Sequence, residues 1–331
     1  MTHRARCIES LATDPYGNLA VEECLLRSVG PGQRVLYLWQ NERTVVVGRN
    51  QHASAECDLA RLAADGGHLA RRLSGGGAVY HDLGNLNFTF VCPTDEYDQT
   101  AQTNIILDAV RSLGVDAVRT GRNDLVTTDG RKFSGHAYYH AGSASFHHGT
   151  LMVDVDVDAL DRYLNVDPDK LASKGVRSVR SRVTNLVDVA PGLTAQALKE
   201  ALIDAFSRAE GCEASVLDTS ELDQAELEAS RRRFCSPTWL FRGERDFARS
   251  RGRRFSWGLA RVDATVHDGI IRDLAFFSDG LETEHVDHVP ELLIGSPAEA
   301  GEVEARLRAG GMPHDMAHDI AGLVADAAQG D

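Results

Sequence analysis

The stretch from Arg71 to Phe90, RRLSGGGAVYHDLGNLNFTF, constrains this chain more than any other part of it. Two arginines run into Ser74 and three consecutive glycines, Gly75 to Gly77. An apolar strand (Ala78, Val79, Tyr80) follows, then His81 and Asp82, a turn at Gly84–Asn85 and a second strand ending at Phe90. Three glycines strip every Cβ from a short piece of backbone, so a ligand can approach its amides closely. Arginine beside that opening supplies a permanent charge on a planar fork suited to phosphate or carboxylate. The expectation is a small anion held along a backbone edge, although a tight turn asks for the same glycines.

A chain of 331 residues is long for one core and predicts two domains. Its longest apolar runs, such as Val35 to Trp39, fall far short of the ~20 residues that span a bilayer. The opening MTHRARCIESLATDPYGN has no apolar segment, so no secretory signal and no membrane association are expected, and the chain reads as cytoplasmic. Six cysteines (Cys7, Cys24, Cys57, Cys92, Cys212, Cys235) lie scattered with no two within four residues, which excludes a CxxC zinc or redox motif. A net charge of -14 argues against a nucleic-acid binder. That charge is uneven: between Arg231 and Arg254 nine arginines face only Glu244 and Asp246, leaving the window at +7. Such a window is either a solvated linker or helix face, or a docking patch for an acidic protein.

Periodicity predicts a helix over Asn18–Val29 with Asn18 at its cap, and a hairpin from Val35–Trp39 and Thr44–Val47. A helix at Glu56–Ala64 precedes strands at His68–Arg72, Ala78–His81 and Leu86–Val91. A long helix over Asp98–Leu113 stops at Gly114, and a short strand follows at Val115–Arg119. Leu125–Thr128 and Arg131–Tyr138 flank Asp129–Gly130, a hairpin signature. Phe146–Val153 reads as a strand, and Val157–Leu164 and Thr194–Arg208 as helices. Asp154, Asp156 and Asp158 alternate like a calcium loop, but Ala159 and Asn165 stand where its glycine and closing glutamate belong. Polar, arginine-rich sequence from Pro237 to Ser256 gives way to strands at Trp257–Val266 and Ile270–Phe277, which puts a domain boundary near residue 250.

No P-loop, GxGxxG, HExxH or GxSxG is present. What gives the glycine run weight is its company. Asn123 and Asp124 place a carboxamide and a carboxylate just before a strand, where Asp124 could hold Mg²⁺ against a nucleotide phosphate or simply cap the strand. Lys132, just past the Asp129–Gly130 turn, is either a solvent-facing strand lysine or a point charge reaching into a site. His147 and His148 precede an apolar strand without metal-ligand spacing, which favours packing or pocket lining.

In order along the chain, YGNLAVEECLL, RVLYLWQNERTVVVGRN, RRLSGGGAVYHDLGNLNFTF, GRNDL, DGRKFSGHAYY, FHHGTLMV and GVRSVRSRVTNL closely resemble lipoate–protein ligases, densely over residues 10–190 and more loosely beyond, where RFSWG and its strands look like the family's accessory domain. The resemblance implies an α/β (α+β) mixed-sheet catalytic domain over 1–248, of the biotin/lipoate protein ligase type related to class II aminoacyl-tRNA synthetase cores, and a small α/β domain over 249–331. It implies an enzyme that activates free lipoate with ATP to lipoyl-AMP, releasing pyrophosphate. The lipoyl group then passes to a lysine of apo lipoyl domains, in 2-oxoacid dehydrogenase acyltransferases or the glycine cleavage H protein. ATP with Mg²⁺ and lipoate are then substrates, no prosthetic group is bound, and a monomer is expected.

Residue by residue, the resemblance assigns Lys132 the catalytic charge that bridges the α-phosphate and the acyl carbonyl. It assigns Arg72, Gly77, Ala78, Val79, Tyr80, Asn123 and Asp124, with Lys132, to ATP, and Asp124 to Mg²⁺. It assigns Leu19, Val21, Arg71, Ser74, Gly75, Gly76, His81 and His148, with Lys132, to lipoate. Two departures stand out: a compact Thr127–Gly130 turn where the family commonly has a longer loop, and a small-residue loop at Tyr138–Ser145. Two alternatives remain: an octanoyl or lipoyl transferase working through a cysteine thioester without ATP, with Cys92 nearest in sequence, and a non-catalytic paralogue that binds lipoyl domains. The choice between lipoate and octanoate, and the preferred acceptor, are not legible in the residues.

Overall fold

A computed structural model describes residues 4–121, 123–165 and 182–329. Arg122 of the GRNDL motif and Gly175 to Ser181 of GVRSVRSRVTNL lie outside the described residues. The chain forms two compact units: residues 1–46, 57–70 and 79–236 make the first, and residues 47–56, 71–78 and 237–331 the second. The two arginines and the three glycines, within residues 71–78, thus belong by their contacts to the unit that contains residues 237–331, and the strands that follow them to the first.

The first unit is built on an eight-stranded mixed sheet. Its strands are β1 (Arg4–Glu9), β2 (Gln33–Trp39), β6 (Asn85–Pro93), β7 (Ala117–Thr120), β8 (Asp124–Thr127), β9 (Lys132–Ala141), β10 (Ala144–Met152) and β11 (Ser215–Val216), in spatial order β11-β1-β2-β6-β10-β9-β8-β7. β1 runs parallel to β2 and β11, and the other pairs are antiparallel. A separate three-stranded sheet is formed by β3 (Thr44–Val47), β4 (His68–Arg71) and β5 (Val79–His81), in the order β4-β3-β5.

Alternation along the large sheet divides its faces. Leu36, Leu38, Leu86, Phe88, Phe90, Leu125 and Leu151 point to one face and join a core completed by α2 (Gln99–Ser112) and α3 (Ala195–Glu210). The opposite face carries Tyr37, Trp39, Thr89 and His148 and receives α1 (Pro15–Ser28), whose Asn18 and Glu22 bond to Tyr37, Thr89 and His148. A fourth helix, α4 (Gln224–Phe234), packs beside α1.

Capping residues set several of the boundaries. α1 starts three residues before its predicted onset because Asp14 accepts from the amides of Tyr16 and Gly17 and Pro15 occupies the first turn. Asn18 is therefore not a cap; it is 1% exposed and donates to Asn41 and to the carbonyls of Ala12 and Gln40. Asp98 and Thr194 cap α2 and α3, and Asp156 caps a short helix at Val157–Tyr163. That cap accounts for one acid of the Asp154–Asp158 alternation, and among the described residues no group of three His, Cys, Asp or Glu is arranged to hold a metal ion.

The predicted hairpin of residues 35–47 does not form. β2 pairs with β1 and β6 and β3 with β4 and β5, so residues 40–43 carry the chain from one sheet to another. Asn41, fully buried between Asn18 and His81, and Arg43 at φ 36° shape that crossing.

The second unit contains an antiparallel sheet of β12 (Arg249–Phe255), β13 (Gly258–His267) and β14 (Ile270–Ser278), packed on α5 (Ala300–Ala309) and α6 (His314–Gln329). Asp268 and Gly269, both at positive φ, make the β13–β14 turn. The arginine-rich window, read from sequence either as a solvated linker or helix face or as a docking patch, falls largely in regular structure: α4 takes its start and β12 its end. Among the described residues no helix is long and apolar enough to cross a membrane.

Candidate functional site

Lys132 opens β9, and the strand is irregular just where it does so. Val126 pairs with Lys132 but Leu125 with Ser134, so Phe133 is an extra residue, a β-bulge. Strict alternation would put Lys132 on the same face as Ser134 and His136. With the bulge, Phe133 enters the core, fully buried, while Lys132 turns to the α1 face. There its Nζ lies 2.6 Å from Asp124 Oδ1. A Cβ on Gly135 would sit 2.9 Å from that Nζ, so the absent side chain makes room for the lysine. Thr184 donates its amide to the Lys132 carbonyl and holds the bulge from outside the sheet.

Asp124 and Lys132 are the sequence-predicted pair that the fold brings into direct contact. Neighbouring Asn123 is spent locally: its Nδ2 donates to the His136 carbonyl at 3.1 Å, and its own carbonyl accepts the His136 amide.

Register extends this point into a row across five strands: Trp39, Asn87, Thr150, Gly135 and Asp124 are successive Cα partners on β2, β6, β10, β9 and β8. In the adjoining row lies His148, whose Nδ1 is 2.7 Å from Glu22 Oε1. The same carboxylate oxygen accepts from Thr89 Oγ1 at 2.7 Å, and Thr89 accepts from Trp39 Nε1. Phe146 packs at a tilt on His148, with ring centroids 4.7 Å apart. Leu19 and Val21 are both buried, but two positions on a helix are about 200° apart. They therefore flank Glu22 on opposite sides instead of forming one wall. His81 is held by Asn41 at 3.2 Å, and Tyr80 packs on Tyr163.

On the core face, His136 and His147 bond to each other at 2.9 Å, and Ser134 and Gln102 extend the chain at either end. Burial holds both imidazoles below the ordinary histidine range, that of His147 at about 3. They are neutral packing residues, with Phe88 edge-on to both rings.

The second unit holds the two arginines and the glycines, and its chemistry is different. Arg71 is 1% exposed. Its guanidinium donates to the carbonyls of Gly48, Arg49, Gln51, Trp239 and Leu240, with Glu244 3.6 Å away. Burial lowers its pKa to about 10, and the group stays cationic at neutral pH. In this arrangement Arg71 has no face to offer the lipoate expected of it, because its donors serve the backbone.

Arg72 donates to Ser74 Oγ and to the carbonyls of Gly75 and Gly77, folding the loop around its own fork. Two glycines of the run are sterically required. Gly76 sits at φ 94°, and a Cβ on Gly75 would lie 2.3 Å from the Gly280 carbonyl. Gly48, which sequence reasoning passed over, lies against the loop: a Cβ there would be 2.1 Å from the Gly76 carbonyl.

Two further features bear on function. Among the described residues, at least six of the nine window arginines have carboxylate partners: Arg231 with Asp14, Arg233 with Glu23, Arg242 with Asp287, Arg245 with Asp273, Arg253 with Asp326 and Arg254 with Asp279. The window's apparent +7 is mostly cancelled by acids distant in sequence, which removes the main support for a docking patch. The buried thiols are poor nucleophiles: burial pushes Cys92 up to about 11, and Cys7, Cys24 and Cys57 to about 12.

Glu22, Asn87, Thr150, Gly135 and Gly48 were not singled out from the sequence. The clearest available signal was alternation in LNFTF, where Asn87 and Thr89 interleave with Leu86, Phe88 and Phe90.

Residues 14–207 match the family model described as lipoyl protein ligase A/B catalytic domain, and residues 244–320 that of the bacterial lipoate protein ligase C-terminus. The chain is 39% identical over 312 residues to lipoate-protein ligase A of Psychrobacter cryohalolentis, covering 92% of this chain and 91% of that one. Its fold is similar to that of P. falciparum LipL1 in complex with lipoate (TM-score 0.83, 24% identity, 97% and 99% of the two chains). It is also similar to lipoate-protein ligase A bound with ATP (TM-score 0.61, 27% identity, 73% and 99%).

Proposed function

We propose, because the chain belongs to the lipoate–protein ligase family, that it activates free lipoate with ATP and transfers the lipoyl group to a lysine of an apo lipoyl domain. The observation that carries this reading is the Lys132–Asp124 pair, turned onto the α1 face by a bulge and seated over a glycine. In the first step a lipoate carboxylate oxygen bonds to the α-phosphorus of ATP, and the bond to pyrophosphate breaks. Lipoate is already ionised at neutral pH, so no base is needed. Negative charge grows on the phosphoryl and acyl oxygens, and Lys132 exchanges Asp124 for them. A donor of this kind is worth about 3 kcal/mol or more in the transition state. Asp124, released, is free to meet the Mg²⁺ that accompanies ATP as substrate. In the second step the acceptor amine, after losing its proton to solvent, attacks the acyl carbonyl; the bond from the acyl carbon to the phosphate oxygen breaks, AMP leaves, and the nitrogen releases a further proton as the amide forms.

The ATP contacts proposed for Arg72, Gly77, Ala78, Val79, Tyr80 and Asn123 follow from the order of the motifs, and they require Arg72 to exchange loop carbonyls for phosphate. The division into a catalytic domain over 1–248 and an accessory domain over 249–331 is likewise part of the proposal. A related lipoate-protein ligase A binds ATP, which supports nucleotide use. The buried, high-pKa Cys92 gives no support to a thioester route. Mass spectrometry of an apo lipoyl domain incubated with the protein, ATP, Mg²⁺ and lipoate tests the reading. The expected result is one lipoyl adduct that needs ATP; an adduct formed equally without ATP, or none at all, contradicts it.

A further inference from the structure

The row of register partners that contains Asp124 and Gly135 also contains Asn87, which is 1% exposed. Its Oδ1 accepts from Asn85 Nδ2 at 3.0 Å, which fixes the amide so that Nδ2 is the group left over. That Nδ2 is buried and has no hydrogen-bond partner among the described residues. A buried donor without an acceptor is costly and uncommon in a native fold. The register partners of Asn87 are Thr150 on β10, a small and partly exposed side chain, and Trp39, which closes the row at β2.

Distance then identifies which part of a ligand lies there. Asn87 on β6 stands two strands from Gly135 on β9, and strand spacing makes that about 10 Å across the sheet. If Lys132, lying over Gly135, holds the carboxyl end of the substrate, an acyl chain laid across β10 brings its far end to Asn87. This step rests on the function proposed above. Lipoate ends there in a dithiolane ring, whose sulfurs are weak hydrogen-bond acceptors; octanoate, of similar length, ends in a methyl group. A methyl group would cover the donor and give it nothing.

We propose that Asn87 is a specificity-determining residue, whose Nδ2 donates to the dithiolane end of the acyl group and so favours lipoate over octanoate. The test is the ratio of kcat/KM for lipoate to that for octanoate, measured by acid-dependent ATP–pyrophosphate exchange on the full chain. Wild type should prefer lipoate, and Asn87→Leu, of similar size without a donor, should lower the ratio about tenfold with the KM for ATP unchanged. Asn87→Ser, which keeps a hydroxyl donor, should retain most of the preference. If Asn87→Leu does not fold, Asn87→Ala is read in the same way. A fall of less than threefold, or a wild type indifferent between the two acids, overturns the assignment while leaving the ligase reading intact. Absence of exchange with both acids in wild type overturns the ligase reading itself.

Discussion

Lys132 and Arg71 are both cations singled out by sequence, and their surroundings give them opposite capacities. The side chain of Lys132 is 30% exposed, touches the Asp124 carboxylate and sits over a glycine. Arg71 is 1% exposed and bonds five backbone carbonyls from two separate segments. One charge can exchange its partner for a substrate anion at little cost, because its ion pair with Asp124 is partly solvated. The other cannot leave without stripping acceptors from a buried backbone. A motif marks both residues as important, but only the environment separates a group that binds from a group that builds.

The largest expected effect falls on catalysis. Lys132→Met should reduce lipoate-dependent adenylate formation at least a hundredfold, equivalent to about 3 kcal/mol, while thermal unfolding stays within a few degrees of wild type. If the lysine were structural, the melting temperature would fall in step with activity. Next comes Arg71→Met, which should cost on the order of 3 kcal/mol of stability through unpaired carbonyls, read as a lower urea midpoint. A stable Arg71→Met protein with a raised KM for lipoate would reverse the comparison and return Arg71 to the ligand.

Gly135→Ala probes the seat of the lysine. A Cβ 2.9 Å from Nζ should displace the ammonium and lower kcat about tenfold, with less effect on the KM for ATP. Unchanged kcat would mean that the lysine works from another position.

The smallest effect concerns pH. His136 and His147 have folded pKa values below the ordinary histidine value, so the unfolded chain binds more protons than the native one in acid. Their contribution to stability is complete above about pH 6.5 and is lost as pH falls toward the value of about 3 held by His147. Urea midpoints measured from pH 7 to pH 4 should fall, and a His136→Phe, His147→Phe double variant should flatten that fall.

How far the sequence reaches can be judged from these same residues. Glycines, caps and turn signals placed most elements within a few residues, and the order of the motifs picked out Lys132 and Asp124 together. The bulge at Phe133 was not visible, because one extra residue in a strand leaves no mark in composition yet moves a side chain to the other face. The false hairpin at residues 35–47 arose because adjacent apolar runs suggest pairing, whereas the true partners of β2 are β1 and β6. The basic window misled for a related reason: the acids that neutralise it, such as Asp273, Asp287 and Asp326, lie far along the chain. Asn87 was hidden as one polar residue in an ordinary alternation; that its Nδ2 has no partner among the described residues appears only when its neighbours are placed.

In the proposed reaction Lys132 exchanges Asp124 for an anion formed from ATP and lipoate. Lipoate-dependent exchange of labelled pyrophosphate into ATP, with wild type beside Lys132→Met, tests it most directly. Rapid exchange by wild type that requires lipoate and is lost in the variant is the predicted result. Exchange that survives in Lys132→Met at the wild-type rate would contradict it.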